Sequence, residues 1–174
     1  ETVTIDDGRL ARLRRFNLVM GVFHLISGVL MVLLGNDFEL EVSAFALNGP
    51  PGTALADGTL SSVVGVPLAW ATASFLLLSA VFHFLIATVG FARYGAELRH
   101  GRNRFRWVEY ALSSTLMIVL IALVTGIIDL AALIALGFVN ASMILFGWIM
   151  EMANENDRKA WWTPFWFGCV AGIG

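Results

Sequence analysis

A carboxylate and two histidines stand in apolar surroundings where they could hold a proton or a cation between them. Glu109 lies just inside "RFRWVEYALSSTLMIVLIALV", the run from Arg104 to Val124 that is almost unbroken apolar sequence after its basic start. His24 falls in "FNLVMGVFHLISG" and His83 in "SAVFHFLIA". At the helical rise per residue, His24 lies roughly 13 Å beyond Arg15 and His83 roughly 15 Å before Arg93. The two rings are therefore expected at similar depth on adjacent helices, with the Glu109 backbone about 5 Å in from Arg106. Ser113 shares the Glu109 face at i+4. Ser79 is one turn from His83, and Asn140 sits in the middle of a later apolar stretch. Ionisable groups inside membrane spans are costly and tend to mark function. One polar pocket built from these residues would suit two chemistries. The histidines could ligate a haem on both faces, or Glu109 could balance a cationic cofactor held inside the bundle. The ordinary alternatives are an interfacial Glu109 favoured by its helix dipole, histidines that are packed core residues, and a membrane scaffold without cofactor.

The elements that must position these groups follow from composition. Of 174 residues, 58% are hydrophobic and 14% charged, with a mean hydropathy of +0.79. A soluble domain carries roughly 25% charge, so this is the composition of a membrane protein. A net charge of −2 gives no basis for nucleic-acid binding. The single cysteine, Cys169, cannot form an internal disulfide. No CxxC, P-loop, GxSxG or HExxH pattern occurs, so no enzyme or metal site is indicated.

Four stretches reach the roughly 20 apolar residues needed to cross a bilayer: 16–35, 67–91, 107–126 and 130–150. They predict an all-α transmembrane bundle in one domain, 1–174. A fifth run, 161–174, would reach only about 21 Å as helix, short of the roughly 30 Å core. With no initiator Met, the chain is expected to be part of a longer protein. All eleven Lys and Arg fall before the first span, between the second and third, or between the fourth and fifth. The opposite loops hold Asp37, Glu39, Glu41, Asp57 and Asp129 and no cation. Positive-inside bias then predicts a multi-pass cell-membrane protein with a cytoplasmic N-terminus. The outer loop 36–66 begins with the alternating "FELEVSAFAL", breaks at "NGPPG" and continues with "LSSVV", a pattern that fits a small β-hairpin or an irregular loop. Trp107, Trp161, Trp162 and Trp166 suit an aromatic belt, and Gly168 with Gly172 forms a GxxxG.

Taken together, "FNLVMGVFHLISG", "LNGPPGT", "SAVFHFLIA", "FRWVEYALSSTLMIVLIA", "GFVNASMILFGW" and "PFWFGCVAGI" resemble the heliorhodopsins, seven-helix retinal photoreceptors. The Trp-Val-Glu-Tyr segment is the most specific part, and the resemblance runs from the first span to the end of the chain. It implies a rhodopsin-like bundle with a cytoplasmic N-terminus, in agreement with the arginines. It implies all-trans retinal as cofactor and Glu109 as counter-ion of its protonated Schiff base. It implies that His24, His83, Ser79, Trp107, Tyr110 and Asn140 line a polar cavity, with Asn17, Tyr94 and Asn103 further toward the cytoplasm. Ser113, Met143 and Ile144 would lie along the chromophore. The family links retinal to a lysine of its seventh helix. The only lysine here, Lys159, belongs to a cytoplasmic loop, so the linking residue is expected to be absent from this stretch. Related light-driven proton pumps carry a second carboxylate eleven residues past the counter-ion, where this sequence has Leu120. The resemblance therefore implies a light sensor and not a pump, dimeric through the fourth and fifth helices, with an unknown cytoplasmic signalling partner.

Overall fold

A computed structural model describes residues 6–154 and 160–173. Arg158 and Lys159 lie outside the described residues. Four helices are long and apolar enough to cross a membrane: α1 (Asp7–Leu34), α2 (Leu68–Ala87), α4 (Arg104–Val124) and α5 (Leu130–Ala153). A shorter apolar helix, α6 (Thr163–Ile173), follows. Most of their large side chains face outward, as in Phe16, Val81 and Phe138. Such a surface suits lipid or further helices in a bilayer, where each helix satisfies its own backbone.

α1 starts ahead of its apolar run because the Asp6 carboxylate caps it, accepting the Arg9 N–H at 2.6 Å. α1 and α2 approach closely through small residues. A Cβ on Gly28 would come within 2.8 Å of Leu77, and one on Gly21 within 3.0 Å of Phe84. Ala73 and Ala80 of α2 are buried. Lipid offers no hydrophobic drive for helix pairing, so this close fit is what holds the pair.

α2 stops at Ala87, whereas the apolar sequence runs on to Phe91. Thr88 turns its hydroxyl back to the Phe84 carbonyl at 2.6 Å, and the Gly90 N–H returns to Leu85 at 2.8 Å. A Cβ on Gly90 would lie 2.8 Å from the Leu85 oxygen, so the turn needs glycine. A separate short helix follows, α3 (Phe91–Arg99), which buries Tyr94, Gly95 and Glu97 and exposes Arg93 and Arg99.

The loop between α1 and α2 is a hairpin of β1 (Glu39–Leu47) and β2 (Gly58–Pro67), antiparallel from Glu39 opposite Pro67 to Leu47 opposite Gly58. Gly52, with φ +100°, turns the chain between them. A register irregularity between Val42 and Ser43 lets both side chains be buried. Val42 packs with Leu120, Leu123 and Leu133 of α4 and α5, and the Ser43 N–H reaches the Ile128 carbonyl at 2.8 Å. The hairpin thereby covers the end of the α4–α5 pair opposite the cation-rich loops. Asp129 caps α5 through the Ala132 N–H at 2.9 Å, which allows the tight α4–α5 connection.

Candidate functional site: a polar cavity between α1, α2 and α4

The carboxylate at Glu109 is not orphaned, and it has no ion-pair partner among the described residues. Ser79 of α2 donates its hydroxyl to Glu109 Oε1 at 2.7 Å. One turn along α2, His83 Nδ1 lies 2.8 Å from Asn17 Oδ1 of α1. The Asn17 amide orientation is fixed by its other contact, Nδ2 donating to the Leu13 carbonyl at 2.8 Å. Oδ1 can only accept, so neutral His83 carries its proton on Nδ1 and keeps Nε2 as an acceptor. His24 stacks on His83 with centroids 5.4 Å apart and planes within 10°. Its own Nδ1 is buried with no hydrogen-bond partner among the described residues.

Asn17, Ser79, His83 and Glu109 bound a cavity of about 120 Å³ whose lining also includes Phe82, Ile86, Tyr94, Asn103, Phe105 and Arg106. His24 stands behind His83 and outside that lining. α3 contributes Tyr94. Burial pushes its phenol above the usual range, while the Asn17 hydrogen bond and the Arg106 charge pull the other way. The phenol therefore stays protonated at neutral pH. Asn103 caps α4, accepting from the Arg106 N–H at 3.1 Å. Its own N–H goes to Glu151 of α5 at 2.7 Å. Arg106 meets the second Glu151 oxygen at 3.3 Å.

Not every predicted residue meets this cavity. Trp107 turns to α5, where its ring fills the space a side chain on Gly147 would take, and Arg106 lies 4.4 Å over it. Tyr110 is half exposed and is not part of the cavity lining. Asn140 forms a separate knot, with Nδ2 donating to Ser114 Oγ at 2.9 Å and Thr115 Oγ1 at 3.0 Å. Ser113 is buried one turn from Glu109. Met143 lies against Gly168 and Gly172 of α6, and Ile144 is half-buried beside it on α5. The GxxxG is thus used inside the chain, for α5–α6 packing. Arg106 and the partners Glu97 and Glu151 had no mark in the sequence beyond their charge. The i+4 spacing of Glu97 from Arg93 was the one available signal.

The stacked histidines speak against a shared haem. Axial ligands address the iron edge-on from opposite sides, whereas here one ring face covers the other, beside a cavity too small for a porphyrin.

Fold and site together define a multi-pass helical membrane protein with a hydrogen-bonded carboxylate at a polar cavity between its helices. A model of the heliorhodopsin family matches residues 13–174, and the chain belongs to that family. A search of curated proteins finds no match. Heliorhodopsins are retinal-binding membrane proteins of photoreceptor type.

Proposed function

We propose that this chain forms the counter-ion side of a light-sensing retinal pocket, with Glu109 as the anion opposite the protonated Schiff base. The observation that carries this reading is the Ser79–Glu109 hydrogen bond at the edge of a histidine-bearing cavity. Retinal, when bound as a protonated imine, supplies visible absorption and light-driven isomerisation. The donor set suits it: one carboxylate for the cation, and beyond Ser113 an α4 face of Leu116, Leu120 and Leu123.

Glu109 supplies fixed negative charge. An unpaired acid at mid-membrane costs about 2.5–3.5 kcal/mol, and a cation about 4 Å away recovers about 4 kcal/mol at an effective dielectric near 20. Ser79 occupies one carboxylate oxygen and leaves the other for the cation. His83, with Nε2 free to accept, and His24 stacked behind it provide the place to which a released proton goes. Asn17, Tyr94 and Asn103 extend the polar lining toward the cation-rich end, which we assign to the cytoplasm. Ser113, Met143 and Ile144 remain our assignment for the chromophore wall.

Glu109→Gln in the intact, retinal-loaded protein tests the reading. Ground-state positive charge is concentrated at the imine and spreads along the polyene on excitation. Removing the anion should move the visible band to the red and make it bleach at a lower alkaline pH. An unchanged band and titration would assign the counter-ion to another residue.

A further inference from the structure

A second space opens at the same end of the bundle, on the other side of a wall of two rings. Phe82 and Phe105 line both the polar cavity and a groove of about 350 Å³ between α2, α4 and α5. That volume lies within the range of small-molecule sites, roughly 300–1,000 Å³. The groove floor is apolar and accessible, with Leu85 and Val108 each more than a third exposed. Its rim is basic. Arg104 binds Glu97 at 2.7 Å, and that carboxylate is only 7% exposed. Arg93 reaches the same carboxylate at 3.4 Å with 69% of its side chain exposed. Two guanidinium groups thus share one carboxylate, which leaves an excess positive charge at the mouth. Trp148 of α5 forms another part of the wall, and its buried indole N–H has no acceptor among the described residues.

We propose that this groove holds one anionic phospholipid, with its phosphate on Arg93 at the rim and an acyl chain along Leu85, Phe105 and Val108. An apolar trough ending in excess positive charge matches a lipid and not a soluble anion, which would leave the trough empty. Basic pockets between membrane helices select anionic headgroups in this way. Position agrees: α3 and the start of α4 carry Arg93 and Arg104 where the cation-rich end of the bundle meets the headgroups. Because Phe82 and Phe105 are shared walls, the bound chain would lie one ring away from the cavity that holds Glu109 and His83. The proposal does not depend on retinal.

Native mass spectrometry of the intact protein, delipidated and titrated with phosphatidylglycerol or phosphatidylcholine, tests it. One phosphatidylglycerol should be retained in preference to phosphatidylcholine. Arg93→Gln should weaken that retention about fivefold, the contribution of one basic residue near a headgroup. Val108→Trp, which fills the trough without touching charge, should weaken it too. Arg12→Gln, on α1 away from the groove, should leave it unchanged. Circular dichroism checks that each variant keeps its helices, and Arg93→Gln, being on the surface, stands as the test if Val108→Trp fails to fold. The proposal is overturned by equal retention of the two lipids, or by equal loss in Arg12→Gln and Arg93→Gln. It is overturned as well if inorganic phosphate at millimolar concentration displaces the lipid, which would mark a site for free anions.

Discussion

His83 is held in one tautomer by a residue on another helix. Asn17 spends its amide N–H on Leu13, so its oxygen faces the imidazole and the ring must donate from Nδ1. The 15N spectrum of neutral His83 should accordingly show Nδ1–H in the native protein. Asn17→Leu should release the ring into a tautomer mixture and cost about 1 kcal/mol for the lost bond. A native spectrum dominated by Nε2–H would refute the assignment. Little of this was legible beforehand. Glu109, His24 and His83 announce themselves as polar letters in apolar runs, and their similar depth follows from counting turns. Ser79 stands out by its place one turn from His83, and Asn17 through the resemblance. Which group each one bonds was not legible, because Ser79 is 30 residues from Glu109 and Asn17 is 66 residues from His83. Trp107 and Tyr110 show the reverse limit. Neighbours of Glu109 in sequence, they sit roughly 200° and 100° from it around a helix of 3.6 residues per turn, and they face elsewhere.

At the scale of elements, the cavity depends on how closely α1 lies against α2. Asn17, Gly21, His24 and Gly28 recur at spacings of four, three and four, so they form one stripe. The glycines remove the bulk that would keep His24 from stacking on His83. Gly28→Val should force Leu77 aside and destabilise the folded bundle by about 1–3 kcal/mol, read as the midpoint of detergent unfolding. Val29→Leu, one position round on the exposed face, should change it by less than about 0.5 kcal/mol. Equal midpoints for the two variants would mean that close approach is not what joins the helices. Glu97 plays the corresponding part at the α3–α4 corner, accepting from both Arg104 and Arg93. Glu97→Gln should lower the same midpoint by about 1–2 kcal/mol, the cost of a charged hydrogen bond moderated by the exposure of its partners. If the midpoint did not move, the ion pairs would be surface decoration. The spans were readable because about 20 apolar residues in a row have few other uses. α3 was not, since its first residue continues an apolar run and only the Thr88–Gly90 turn separates it. Strand alternation gave half of the hairpin. Its docking through Val42 depends on an irregularity that no pattern in the sequence marks.

Across the whole molecule, the ionisable side chains within the described membrane spans lie toward one end. Glu109, both histidines, Asn17, Tyr94, Asn103 and Arg106 crowd toward the cation-rich end. Outward from Ser113 the interior of α4 is apolar, and the polar knot of Asn140, Ser114 and Thr115 is bonded to itself. Leu120, eleven residues past Glu109, is buried with Leu123, Leu133 and Val42, the last of them only 3% exposed. The hairpin thus covers this end of the α4–α5 pair with apolar side chains, where a proton relay would need hydroxyls, carboxylates or water. A proton released beside Glu109 would find acceptors inward and none along α4 toward the outside, so we expect it to enter the histidine cavity and return from there. Net transport should then be absent. Cells that express the intact protein, illuminated in weakly buffered medium, should change external pH negligibly, and a protonophore should make no difference. A sustained light-driven pH change abolished by the protonophore would show a continuous path across the membrane, and the apolar stretch around Leu120 and Val42 would not be the barrier argued here.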